Sequence, residues 1–154
     1  MRVELVPVDD GNREQALALA LGPGQERFVA SVAQSFDDAE QHPEARPWMR
    51  LALADGVPAG FVMLSWDAVP DPPRVYGPWF LWRLLVDVGA QGTGVGRAII
   101  EQVAALIREQ GATELLTSYV PGGDGPEGFY RRLGFEPTGE VDPDGEILLR
   151  LPLV

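Results

Sequence analysis

The sequence predicts a single mixed α/β domain spanning residues 1–154. Three observations predict it. The apolar pattern switches repeatedly between strand alternation and helical spacing. A hairpin meander in the first half gives way to strand–helix–strand units in the second, which argues for a mixed sheet over a purely parallel one. No repeat or low-complexity linker interrupts a chain of one-domain length.

Each element has a local reason. "RVELVPV" (2–8) alternates apolar and polar residues and reads as a strand, after which Asp9, Asp10 and Asn12 offer helix caps. "REQALALALG" fits a short helix stopped by Gly22 and Pro23. "QERFVASVAQSFDDAEQ" places Phe28, Val32 and Phe36 at helical spacing, and "HPEARP" ends that pattern with two prolines. "WMRLALADGVPAGFVMLSWD" is a hairpin, its Asp-Gly a strong turn signal. "VPDPPRVYGP" is loop. "WFLWRLLVD" is apolar enough for a central strand buried on both faces. From Gly94 to Gln110, Val95, Ile99, Val103 and Leu106 mark a helix, with Gly111 as its terminal glycine. "TELLTSYV" is a strand and "EGFYRRLG" a short helix. "FEPTGEV" and "EILLRLPLV" are two last strands joined by the turn "DPDG". The expected order is β-α-α-β-β-β-α-β-α-β-β.

Composition narrows the function. The chain has no cysteine and one histidine, so thiolate zinc sites, disulfides and a cysteine nucleophile are excluded and no metal centre is expected. A net charge of −11 disfavours nucleic acid and anionic membranes. The same charge serves solubility or attracts a cationic substrate, and the sequence leaves both open. With no leader-like start and no run approaching a membrane span, a cytoplasmic protein is expected.

The chemistry concentrates in "LLVDVGAQGTGVGRAII" (84–100), a strand running through four glycines into a helix. Backbone N–H groups at such a helix start suit a phosphate. A nucleoside-triphosphate loop needs lysine and a hydroxyl after the last glycine, but Arg97 and Ala98 stand there. A dinucleotide fold needs G-x-G-x-x-G and an acid after the next strand; here the loop is G-x-G-x-G and Glu114 precedes that strand.

Gln91-Gly92-Thr93-Gly94-Val95-Gly96 has the form Q-x-x-G-x-G, and "GFYRRLGF" (128–135) follows downstream. Together, in this order and element context, they resemble the acyl-CoA loop and closing motif of the GNAT N-acetyltransferase superfamily. "LWRLLVD…QGTGVGR" and "DGEILLRLPL" look closest to members that acetylate amines, polyamines among them. The resemblance implies a mostly antiparallel sheet with helices on both faces and strands splayed at a cofactor slot. It implies acetyl-CoA as acyl donor, a small-molecule or peptide amine as acceptor, and often a homodimer.

Residue by residue, the resemblance implies that Gln91, Gly92, Thr93, Gly94, Val95, Gly96 and Arg97 cradle the pyrophosphate. The backbone of Leu85 and Val86 would pair with the pantetheine arm. Tyr130 would protonate the departing sulfur, since a phenol with pKa near ~10 is a proton donor at neutral pH. Arg97 either adds charge to a phosphate or is merely solvated. The base is unassigned among Asp67, Asp87, Glu127 and ordered water. One departure stands out: where many relatives carry asparagine, this chain has Gly123 and then Asp124. Trp66, Trp79 and Trp82 either line the acceptor side or belong to the core. Arg83, inside an apolar strand, needs a carboxylate partner, and His42 is placed to cap the second helix. A non-catalytic acyl-CoA-binding module and a peptide-binding sheet edge remain competing readings.

Overall fold

A computed structural model describes all residues Met1–Val154. The strands are β1 (Val3–Pro7), β2 (Pro47–Ala54), β3 (Val57–Trp66), β4 (Trp79–Val86), β5 (Glu114–Tyr119), β6 (Glu136–Val141) and β7 (Ile147–Pro152). The helices are α1 (Arg13–Leu17), α2 (Val32–Gln41), α3 (Val95–Glu109) and α4 (Glu127–Arg132), with three short 3-10 turns between them. The seven strands form one sheet in the order β1-β2-β3-β4-β5-β7-β6. Every pairing is antiparallel except β4 with β5. Element types and order are those expected from the sequence.

Each face of the sheet buries its own core. On one face α3 and α4 cover a cluster of 19 buried residues, including Ile99, Val103, Leu115 and Tyr130. On the other, α1 and α2 cover a smaller cluster built from Ala16, Phe36, Phe61 and Leu85. The β2–β3 turn carries Asp55 and Gly56 at φ 50° and 84°, the positive pair that a tight hairpin requires.

Two boundaries and one helix face differ from the sequence expectation. Helix α1 ends at Leu17 instead of continuing to Gly22. Beyond it, the Ala20 N–H donates to Asp87 Oδ1 at 2.8 Å and the Ala20 carbonyl accepts from Val88 N, so tertiary bonds replace helical ones. The second helix begins at Val32, where Ser31 Oγ accepts the Gln34 N–H and sets the start; Phe28 lies outside it. In α3 the apolar stripe continues through Ile107, fully buried, while Leu106 is exposed.

The feature that shapes the site lies in β4. Against β3, Met63 pairs with Arg83 and Leu64 with Leu81, so Trp82 is an extra, bulged residue. Against β5, only Phe80↔Leu116 and Leu81↔Thr117 pair. A bulge bends its strand and raises the local twist. Here it follows directly on the last β4–β5 rung, so β4 leaves β5 and a slot opens between two parallel strands.

Candidate active site

The glycine loop sits at the mouth of this slot. Gly92 and Gly94 have φ 77° and 93°, and Gly94 is the N-cap of α3. A β-carbon on Gly92 would meet nothing within 4 Å, and one on Gly94 only Met1 Cε at 3.8 Å. Open space therefore faces the helix start. The first helical carbonyl-to-N–H bond goes to Ala98, leaving the N–H groups of Val95, Gly96 and Arg97 directed outward. Gly96 has a different reason: a β-carbon there would lie 3.0 Å from Phe129 Cζ, so glycine permits α3 to close on α4.

A cleft of about 560 Å³ runs from this loop along β4 to Tyr130. Leu85, Val86, Gln91, Gly92, Gly94, Val95, Gly96, Arg97 and Tyr130 all line it. Thr93 does not; its hydroxyl donates to the Ala90 carbonyl and braces the turn. Strand alternation assigns the backbone groups. The Leu85 carbonyl faces Gly60 on β3, and its side chain is buried. Val86 faces the other way, toward the slot, where its carbonyl accepts from Gln91 Nε2 at 3.0 Å. Leu84, two residues before it and also lining the cleft, shares that direction.

Several lining residues carried no readable signal in the sequence. Gln25 exchanges two side-chain hydrogen bonds with Gln91, at 2.9 and 2.7 Å, and so joins the segment before α2 to the glycine loop. Phe28 lines the cleft and packs into the β5–α4 loop, where a β-carbon on Gly122 would lie 2.9 Å from Phe28 Cε1 and one on Gly125 3.1 Å from it. The loop that carries Gly123 and Asp124 thus packs around a phenyl ring. Arg132, a second cation beside Arg97 on the cleft, was present in "GFYRRLGF" itself. Arg97 is half exposed and lies 3.6 Å from Glu101.

Tyr130 is buried between Phe129 and Phe135, both at edge-to-face geometry. Burial pushes its phenol up to about 12. The Thr117 hydroxyl pulls the other way but gives its one proton to Leu81, and Glu146 adds a further upward push. The group stays protonated across the physiological range.

On the opposite side of the sheet a second cavity, about 310 Å³, adjoins the slot; Arg83 lines it where Leu84 lines the first. Trp82 is the one tryptophan of the three weighed that lies here. Trp66 packs between Trp48 and Trp79, at 5.0 and 4.9 Å, and those rings belong to the α3-side core. Arg83 has its carboxylate, Asp38 of α2. His42 is the C-cap of α2, as expected, with Nδ1 3.1 Å from Glu44. The cavity is acidic through Asp142, Asp144 and Glu146. Tyr76 on its wall registers that field: burial raises its phenol, and Asp142, Glu140, Glu146 and Asp144 raise it further.

None of the three carboxylates weighed as bases lines either cavity. Asp67 is exposed and 4.0 Å from Arg46; Glu127 pairs with Arg131 at 3.2 Å. Asp87 accepts from Ala20 N and Gly89 N, a structural tie between two loops.

A splayed parallel pair, an open helix start and a buried tyrosine thus meet at one slot. The pattern of the acetyltransferase (GNAT) family matches residues 14–135, and the chain belongs to that family. It is similar to the spermine/spermidine N(1)-acetyltransferase of Bacillus subtilis (strain 168), 27% identical over 150 residues and 95% of each chain. It is similar also to the peptidyl-lysine N-acetyltransferase YjaB of Escherichia coli (strain K12), 29% identical over 102 residues; that match spans 66% of this chain and 57% of the relative. Among solved structures, the PaiA N-acetyltransferase of Thermoplasma acidophilum, crystallised with coenzyme A, superposes over 99% of both chains with TM-score 0.68 at 13% identity, a likeness of fold.

Proposed function

We propose that this chain transfers the acetyl group of acetyl-CoA to the primary amine of a small cationic molecule or an amino terminus. The observation that carries the reading is the slot between β4 and β5, flanked by the glycine loop and Tyr130 on one face and by an acidic cavity on the other. The open helix start fits a pyrophosphate, with Arg97 and Arg132 as the nearby cations. The slot-facing groups of Leu84 and Val86 offer the arm of the donor a strand edge. The donor supplies an activated thioester carbonyl. Holding it beside the amine turns a bimolecular encounter into a local one, and Tyr130 gives its proton to the leaving sulfur.

The acidic cavity supports a cationic acceptor, and the polyamine acetyltransferase named above acts on one. A second copy of the chain is a further expectation, supported by β6, an edge strand whose six residues are all exposed. No helix is long and apolar enough to cross a membrane. The test is free-thiol release from acetyl-CoA with spermidine, putrescine, a lysine peptide and an amino-terminal peptide. A melting-temperature rise with acetyl-CoA but no thiol release from any amine would identify a binding module instead.

A further inference from the structure

We infer that Glu146, acting with Ser118, takes the proton that the acceptor amine gives up. The inference rests on the acetyl-transfer reading above and supplies the base it lacks. Ser118 is the first β5 residue beyond the last rung with β4, and alternation turns it to the face opposite Thr117 and Tyr130. Its hydroxyl donates to Glu146 Oε1 at 3.0 Å, and both residues line the cavity on the amine side. The sheet thus separates the two proton transfers: the donor Tyr130 lies on one face of the slot, and the acceptor pair on the other.

The neighbouring charges leave Glu146 as the available carboxylate. Asp38 is held by Arg83, Arg74 by Asp71 at 3.2 Å, and His42 by Glu44. Asp142 Oδ1 accepts the N–H groups of Asp144 and Glu146 and shapes the turn. Asp144 is exposed. Glu146 is half buried, fixed by Ser118, and its charge reaches the Tyr130 phenol.

The step balances. The ammonium gives one proton to Glu146, through Ser118 or directly. The freed nitrogen forms the bond to the acetyl carbon as the carbon–sulfur bond breaks, and Tyr130 protonates the sulfur. The nitrogen's second proton returns to Tyr130 through solvent, and Glu146 releases the first to bulk. The net products are the amide, a thiol and one proton.

The experiment compares wild type, Glu146→Gln and Ser118→Ala with whichever amine of the panel above wild type turns over fastest, from pH 7 to 9. Glu146→Gln is expected to lower kcat about a hundredfold at pH 7 and to recover about tenfold per pH unit, because only free amine, whose ammonium pKa is near ~10.4, then reacts. Wild type is expected to change far less. Ser118→Ala is expected to lose part of kcat in the same pH-dependent way. The acetyl-CoA-induced melting shift is expected to stay near wild type. A Glu146→Gln kcat within twofold of wild type, a loss equal at every pH, or a loss confined to KM would overturn the role. Absence of turnover in wild type with every amine would overturn the acetyl-transfer reading itself.

Discussion

The hydroxyl of Thr117 donates to the carbonyl oxygen of Leu81 at 3.0 Å, across the last rung joining β4 to β5. One residue later β4 bulges at Trp82 and the strands part. The bond therefore pins the closed end of the slot. Thr117→Val keeps the shape but leaves a buried carbonyl without that donor. Such a loss costs about 1 to 3 kcal/mol. Urea unfolding is expected to show a lowered midpoint with an unchanged slope. Acetyl-CoA affinity is expected to fall as well, because the slot loses its fixed end.

Gly96 and Phe129 make a second fixed contact. A β-carbon at Gly96 would lie 3.0 Å and 3.1 Å from the Phe129 ring and 3.4 Å from Val86 Cγ2. Overpacking of this kind costs about 1 to 3 kcal/mol. Gly96→Ala is expected to weaken acetyl-CoA binding by pushing α4 from α3. Adding Phe129→Leu is expected to restore part of it. A double-mutant cycle on the calorimetric Kd reads the coupling; strict additivity would show that the two residues do not meet.

The Arg83–Asp38 pair predicts an asymmetry. Both side chains are about one-fifth exposed, at 21% each. Burial lowers the Arg83 pKa and Asp38 opposes that shift, while Arg83 Nε has no hydrogen-bond partner. Asp38→Ala strands a charged guanidinium and is expected to cost about 2 to 3 kcal/mol, whereas Arg83→Met keeps the apolar stem and is expected to cost about half that. Thermal unfolding of the two variants checks the order.

The sequence displayed what local rules encode. Gly94 before the Val95–Ile99–Val103 stripe, Gly111 after it, and the Asp55-Gly56 turn each announce an element through its own backbone chemistry. Gln91 and Tyr130 were legible through a motif. The remaining walls of the cleft and of the second cavity were not, because they depend on residues far apart in the chain: Gln25 against Gln91, Phe28 against Gly122, Ser118 against Glu146. The bulge at Trp82 is equally silent. It turns Trp82 and Arg83 to one face, which explains an arginine inside an apolar run that period-two reading leaves anomalous. Leu85 shows the same limit. Its place in the strand was visible, but that its backbone faces β3, leaving the slot to Leu84 and Val86, depends on the register with Phe61.

Tyr130 yields the sharpest test, since its two roles separate with pH. Its folded pKa, about 12, exceeds the unfolded value near ~10. For a raised pKa the stabilisation is complete below the unfolded value and is lost as pH climbs through the folded one. Wild type is therefore expected to lose roughly 2 to 3 kcal/mol between about pH 10 and 12 through this group. Tyr130→Phe removes the ionisation, so its stability curve is expected to be flatter over that window. At pH 7 the same variant keeps the ring between Phe129 and Phe135 and is expected to bind acetyl-CoA normally. Its turnover is expected to fall by about a hundredfold or more, the scale of lost general-acid catalysis. Turnover at the wild-type level with saturating amine would remove Tyr130 from the chemistry and leave it a core residue.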